Sequence, residues 1–292
     1  MERQPVPETT EATAQPQTAE TTKPDSPENL ETSQSPQPTS PKTEDSSKEQ
    51  PDPKDENPLA DRGIRHRDII KPDELKTVRV YIIGVGAIGG QVAKQLAHIG
   101  VPAIHLVDFD TVDVENLGVQ GFIESDLGKK KVAAVAETCA AINSAVLLKT
   151  SESKFRTEMV EKITLEGDDR VMIISCVDKM SVRRQIWEAY KAKFEGTERA
   201  LFVDSRMAAE TARVLAVRGA EEKDYYEKTI FSDDDGLQQS CTSKSTIYCA
   251  NIAAGMVVSQ FTRWLRGMFP ERDVLFNILA TSVLRDSETL TD

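Results

Sequence analysis

The sequence predicts an α/β fold: a doubly wound, mainly parallel sheet with helices on both faces, preceded by a disordered acidic tail. Three observations predict it. Short β-rich runs alternate with helical stretches from residue 78 onward, the pattern of a parallel sheet covered on both sides. A glycine turn, Gly84–Gly90, lies between the first such strand and the first such helix. Residues 1–60 differ in composition from all that follows.

That first stretch holds 11 of the 14 prolines and no aromatic residue, with 13 acidic against 5 basic side chains, a net of −8. The whole chain is −12, which leaves −4 for residues 61–292. A segment so rich in Pro, Glu, Ser, Thr and Gln cannot bury enough apolar surface to offset its conformational entropy, so residues 1–60 are expected to be disordered. Residues 61–292 are expected to form the folded domain. The start of the chain lacks the apolar core of a secretory signal and is too acidic for an organellar transit peptide. No run of about 18 apolar residues is present to span a membrane. Four cysteines, Cys139, Cys176, Cys241 and Cys249, form no C-x-x-C pair, which fits a reducing cytoplasm and predicts no zinc site. The acidic balance argues against nucleic acid as the principal partner.

The elements follow in order. Val78–Gly84 (VRVYIIG) reads as a buried strand, then the glycine turn leads into a helix through about His98. Ala103–Asp108 is a second strand, Gly128–Ile142 a helix, Ala145–Thr150 a third strand and Arg156–Leu165 a helix. Val171–Cys176 is a fourth strand and Ser181–Phe194 a helix, and Leu201–Asp204 and Thr211–Val217 read as further strands. A nearly all-apolar helix is expected from about Thr246 to Arg266, too apolar for a surface helix.

Within the turn, Gly84, Gly86 and Gly89 satisfy G-x-G-x-x-G between a strand and a helix. Glycines there let the backbone turn tightly, approach a phosphate and pack helix on strand, as in a Rossmann-like fold. The helix N-terminus then offers N–H groups to an anion. Asp108, 19 residues past Gly89 at the end of the next strand, is placed to accept from ribose hydroxyls. These features indicate a nucleotide without saying which, and a dehydrogenase remains open at this point. His66, His98 and His105 are scattered and suggest no metal site or catalytic base.

Further residues follow: Asp108, Asp110 and Val112 as D-x-D-x-V, then Asn116-Leu117, Gln120, and Gly128-Lys129-Lys130-Lys131. Downstream lies Asp178 with Arg183 in DKMSVR, and upstream Arg65-His66-Arg67-Asp68. In order and spacing this set resembles the ThiF/MoeB/HesA family, relatives of the ubiquitin-activating enzymes, over roughly residues 62–266. The resemblance implies ATP-dependent adenylation of the C-terminal carboxylate of a small ubiquitin-like or sulfur-carrier protein. It implies that Gly84, Gly86, Gly89, Asp108, Asp110 and Asn116 bind ATP, that Lys131 holds phosphate, and that Asp178 acts in catalysis and holds Mg²⁺. It further implies a homodimer in which Arg65 or Arg67 reaches the neighbouring subunit's nucleotide.

One residue departs from the pattern. Val119 stands where the family's N-L-x-R-Q carries an arginine, and loss of one charge-assisted contact costs about 2–4 kcal/mol in such a site. Lys129, Lys130 and Arg183 are candidate replacements. Cys241 follows the polar stretch Ser232–Ser240 and precedes the apolar helix, where relatives that form a thioester or persulfide place their cysteine. It is therefore a candidate covalent acceptor, whereas Cys139, Cys176 and Cys249 read as core. Arg206, after the strand ending in Asp204, either steers an incoming C-terminal tail or pairs with Asp204 or Glu210. Two alternatives stand beside the leading one: a non-catalytic nucleotide- or protein-binding module of the same fold, and an enzyme adenylating a tRNA base.

Overall fold

In the computed structural model, which describes residues 59, 62–218, 223–233 and 245–285, the element order starts with a single helical turn, α1 (Pro72–Leu75), opened by Pro72. Next come β1 (Val78–Ile83), α2 (Ala87–Ile99), β2 (Ala103–Val107), α3 (Val114–Gln120), α4 (Lys131–Ile142), β3 (Leu147–Ser151) and α5 (Glu158–Glu161). Then follow β4 (Arg170–Ser175), α6 (Met180–Phe194), β5 (Ala200–Ala208), β6 (Thr211–Arg218), α7 (Lys223–Lys228), α8 (Ile247–Leu265), β7 (Asp273–Asn277) and β8 (Ser282–Arg285). Apart from Leu59, the expected tail lies outside the described residues.

The strands form one eight-stranded sheet in the order β3-β2-β1-β4-β5-β6-β7-β8. The first five are parallel, and β5 through β8 pair antiparallel. The chain reverses direction of winding between β3 and β4, since β1 pairs with both β2 and β4. That is the switch point at which open sheets bind ligands beyond their strand ends.

Side-chain alternation sorts the core into two layers. Val78, Val80, Ile82, Met172, Ile174, Leu201 and Val203 face α2, α4 and α8. Val171, Ile173, Ala200 and Phe202 face the other way, against Val160 of α5, Trp187 and Tyr190 of α6 and Tyr226 of α7. Helices therefore cover both faces, as the alternation predicted. The apolar helix is found as α8, and its buried residues run from Cys249 to Leu265 along one side, while Tyr248 is exposed. Arg170 at the start of β4 ends α8 by donating to the carbonyl oxygens of Trp264 (2.7 Å) and Leu265 (3.3 Å), a cation at the negative end of the helix.

Some elements differ from expectation. The helix expected from Gly128 begins at Lys131, because Gly128 takes φ +81° and Gly128–Lys130 instead bind the segment after β2. The helix expected over Arg156–Leu165 is only the turn α5. The short helix α3, the turn α7 and the strands β7 and β8 were not anticipated. No helix among the described residues is long and apolar enough to cross a membrane.

Candidate functional site

The glycine turn leaves the end of β1 at the switch point. Gly84 has φ +89°, and a Cβ there would stand 2.7 Å from the Cys176 carbonyl oxygen. A Cβ on Gly89 would stand 1.9 Å from the Gly84 carbonyl oxygen. Chain packing alone thus demands glycine at both positions. Gly86 differs, because the nearest atom to a Cβ there is Gln120 Oε1 at 3.5 Å, an ordinary contact. Gly86 caps α2 without any side-chain hydrogen bond, which leaves the positive end of that helix open above the turn.

Asp108 braces this turn. Its Oδ2 accepts the Val85 N–H at 2.8 Å and its Oδ1 accepts the Asp110 N–H at 2.9 Å. The strand that ends in Asp108 therefore fixes the glycine turn and its own bend together. The next segment pairs with the start of α4: Lys131 N–H donates to the Asp110 carbonyl at 3.0 Å and Val112 N–H to that of Lys129 at 2.8 Å. Through this bridge Lys131, nearly buried, sets its Nζ 3.0 Å from Asp110 Oδ2. The D-x-D-x-V and G-x-x-K motifs are thus two strands of one small ladder.

Asn116 sits in the first turn of α3, where its Oδ1 accepts the Asp113 N–H at 3.0 Å. This reciprocal capping starts the helix. The far end of α3 is held by α2, with Gln91 donating to the Gln120 carbonyl (3.2 Å) and Lys94 to that of Gly121 (2.7 Å). Gln120 is thereby held over Gly86, and its buried Oε1 has no hydrogen-bond partner among the described residues.

Asp178 follows β4, whose end lies beside that of β1: Ser175 pairs with Ile83, and the Cys176 N–H bonds the Ile83 carbonyl at 2.8 Å. Asp178 is exposed and makes no hydrogen bond or ion pair with a described residue. It is not the cap of α6, which is Lys179. A carboxylate from the distant Asp233 accepts the Ser181 N–H instead, at 3.2 Å.

Arg183 does not reach the site. It is buried and donates to Asp204, to the Ser205 carbonyl (3.0 Å) and to the Val177 carbonyl, one residue before Asp178. Asp204 is fully buried and also accepts from Arg206 Nε at 2.7 Å and from the Tyr226 hydroxyl at 3.2 Å. Burial, then the neighbouring Asp204 charge, holds the Tyr226 hydroxyl well above its ordinary pKa, so it stays protonated and donates. Arg206 is completed by the Thr229 carbonyl and hydroxyl. Of the two roles considered for Arg206, the structure shows pairing with Asp204. A lone aspartate closing the apolar run LFVD, with arginines nearby in sequence, was the available signal for this cluster.

Among the candidate replacements for the missing arginine, Lys129 is paired with Asp126 (3.2 Å) and Glu137 (2.7 Å). Lys130 donates to the Phe109 carbonyl at 2.9 Å, between the two aspartates of the motif. Arg65 and Arg67 are exposed on a segment that Arg62 anchors to the Ile142 carbonyl, at the end of α4 opposite Lys131. Cys241 lies outside the described residues. Burial pushes Cys139 and Cys249 up to about 11 and Cys176 up to about 12, values of unreactive thiols. Among the described residues no three His, Cys, Asp or Glu side chains cluster as a metal site.

The sequence model of the ThiF family matches residues 62–289. Ubiquitin-like modifier-activating enzyme 5 of Drosophila mojavensis is 29% identical over 143 residues, 45% of this chain and 36% of that protein. Adenylyltransferase and sulfurtransferase MOCS3 of Dictyostelium discoideum is 31% identical over 131 residues, 42% of this chain and 30% of that protein. Molybdopterin-synthase adenylyltransferase of Salmonella typhimurium is 29% identical over 124 residues, 42% of this chain and 49% of that protein. The matched region spans between about a third and a half of these curated relatives. Crystal structures of E. coli MccB share the fold: one with succinimide has TM-score 0.60 at 16% identity, covering 77% of this chain and 70% of that one. Another, with ATP, has TM-score 0.58 at 17% identity, covering 73% and 64%.

Proposed function

The chain belongs to the ThiF family, and from that premise we propose that it is an ATP-dependent adenylyltransferase acting on the C-terminal carboxylate of a ubiquitin-like or sulfur-carrier protein. The observation that carries this reading is the convergence of three features at the switch point. The glycine turn is braced by Asp108, Lys131 is held in the ladder, and the carboxylate of Asp178 has no partner among the described residues.

The arrangement fits a nucleoside triphosphate. Gln120 packs over Gly86 at ordinary contact distance, and its buried Oε1 has no hydrogen-bond partner among the described residues, which leaves an acceptor beside the turn for a bound group. In this reading the N–H groups opening α2 receive phosphate oxygens and Asp108 receives ribose hydroxyls. Lys131 exchanges part of its Asp110 pairing for phosphate, and Asn116 contacts the phosphates. Asp178 fits Mg²⁺, because a single unpaired carboxylate beside phosphates is the ligand set that ion takes, with no protein cage required. When bound, the ion supplies charge neutralisation for the departing pyrophosphate. The substrate carboxylate oxygen bonds to the α-phosphorus, the bond from that phosphorus to the bridging oxygen breaks, and pyrophosphate leaves with its electron pair. Arg183 acts at one remove, holding the Val177–Asp178 turn against β5.

The finer parts of the reading are a homodimer whose Arg65 or Arg67 crosses to the partner's nucleotide, transfer of the activated carboxyl to Cys241, and residence in the cytoplasm. ATP–pyrophosphate exchange that depends on a small β-grasp protein tests adenylation. Asp178→Ala is expected to remove exchange, and Cys241→Ala to remove only a covalent adduct. Absence of exchange with every such partner at saturating Mg²⁺-ATP counts against the proposal.

One observation favours a second reading, a module that binds nucleotide without turnover. Arg183 and Lys129 are already engaged by carboxylates, so Lys130 is the one of the three candidates with no ion pair among the described residues to stand in for the arginine absent at Val119. ATP binding with no exchange is the outcome that reading expects.

A further inference from the structure

We propose that a cavity between the parallel edge of the sheet and α5 is a second binding site, for a small soluble phosphate-bearing anion. It has a volume of about 490 Å³, within the range of about 300–1,000 Å³ typical of small-molecule pockets. Its floor is one row across three strands, Tyr81 of β1, His105 of β2 and Lys149 of β3, which the register places side by side. Ser151 of β3 and Arg156, Glu158, Met159, Lys162 and Ile163 around α5 complete it.

None of Gly84, Gly86, Asp108, Asp110, Asn116, Lys131 or Asp178 lines this cavity. It lies on the sheet face opposite α2 and α4, because Ile163 and Tyr81 belong to the α5–α6 layer. This makes it distinct from the nucleotide site.

Charge identifies the ligand. Lys149, Arg156 and Lys162 converge on the cavity, and none of them has an ion-pair partner among the described residues. Glu158 is the only carboxylate in the lining. Elsewhere the described lysines and arginines are frequently paired, as Arg79 with Asp169 at 2.7 Å and Arg213 with Asp273 at 2.5 Å. Three cations against one carboxylate leave a net positive potential in the cavity, which a multiply charged anion relieves. Arg156 offers a planar fork that matches phosphate geometry, and the lysines offer compact charges.

The floor adds neutral hydrogen-bonding groups. His105 Nε2 lies 2.9 Å from Ser151 Oγ, and the Tyr81 and His105 rings stand 5.2 Å apart, tilted by 54°. Burial, then the Lys149 charge, lowers the His105 pKa to about 4, so near neutral pH the imidazole is uncharged and shares one proton with the hydroxyl. A phosphate oxygen can take either hydrogen. Met159 and Ile163 line one side of this half-open cavity and the two rings another, and its volume matches a small molecule.

The chain has three histidines, so ring signals in a proton–carbon correlation spectrum resolve the test, with His105→Gln assigning the third. Inorganic phosphate, then pyrophosphate, is titrated into the full-length protein. The His105 signal is expected to move saturably while His66 and His98 stay, and the His105 titration midpoint is expected to rise when phosphate is bound. Lys149→Glu with Lys162→Glu, both exposed positions, should weaken this response about tenfold or more while leaving ATP binding unchanged. Lys131→Ala should leave it intact. A His105 signal unmoved at millimolar phosphate overturns the inference. So does loss of the response in Lys131→Ala, because the anion would then sit in the nucleotide site. Neither result bears on adenylation, which the exchange assay tests separately.

Discussion

At the scale of single residues, the glycine turn is constrained by the chain's own backbone before any ligand is considered. Gly89→Ala places a methyl group 1.9 Å from the Gly84 carbonyl oxygen, and Gly84→Ala places one 2.7 Å from that of Cys176 at φ +89°. Each is expected to destabilise the fold by about 2–4 kcal/mol, Gly89→Ala from overpacking against backbone and Gly84→Ala from overpacking with left-handed strain added. Gly86→Ala meets only an ordinary contact and should leave stability within about 0.5 kcal/mol while weakening ATP. Urea unfolding with nucleotide titration checks all three, and equal stability losses would refute the distinction. His105 makes a prediction in pH. Its folded pKa of about 4 lies below the ordinary 6.5, so the unfolded chain takes up the proton first as pH falls. The stability this gives is complete above pH 6.5 and is lost as pH drops toward 4. His105→Gln should flatten the pH dependence of the unfolding midpoint in that window, and an unchanged slope would contradict the assignment. The glycines, Asp108, Asp110, Asn116, Lys131 and Asp178 are proposed from sequence because their order and spacing carry the family resemblance. What those side chains touch in the absence of ligand could not be named. The Asp110–Lys131 pair depends on a ladder that joins segments some 20 residues apart.

At the scale of elements, the turn carrying Asp178 is held by α6 and β5. Asp204 accepts from Arg183, Arg206 and Tyr226 inside the protein, and Arg183 carries the same tie onward to the Val177 carbonyl. Removing one partner of a buried pair leaves an uncompensated charge, which costs about 3–5 kcal/mol. Arg183→Leu should therefore lower stability by about that amount, measured by chemical denaturation. Asp178→Ala, at an exposed carboxylate, should leave stability within about 0.5 kcal/mol while removing pyrophosphate exchange. If the two variants lose stability equally, the division between a holding residue and a reacting one fails. The central parallel strands β1 and β4 were legible because they are largely buried and read as nearly unbroken apolar runs. The strands β7 and β8 were not, since they are short and partly exposed, with β8 at the sheet edge, and carry no such run. The antiparallel turn was readable in principle. Only six residues separate the expected strands ending at Asp204 and starting at Thr211, too few for the dozen or so that a parallel crossover requires.

At the scale of the whole molecule, a five-stranded parallel half carries the glycine turn and Asp178, and an antiparallel half extends it through β6, β7 and β8. The proposed dimer has its own test. If Arg65 and Arg67 serve the partner's nucleotide, mixing the Arg65→Ala, Arg67→Ala double variant with Asp178→Ala should restore exchange through mixed dimers with one intact site. Random mixing would recover roughly a quarter of wild-type activity, and no recovery, or a monomer by sedimentation, would contradict the crossing. The central claim is that the site joins the α-phosphate of ATP to a protein carboxylate. Its most direct measurement follows the label from α-labelled Mg²⁺-ATP in the presence of a β-grasp protein with a free Gly-Gly terminus. The account predicts label on that terminus as an acid-stable adenylate, none on the same protein lacking Gly-Gly, and none with Asp178→Ala. Tight ATP binding by the wild-type chain with no label transferred to any such partner would contradict it.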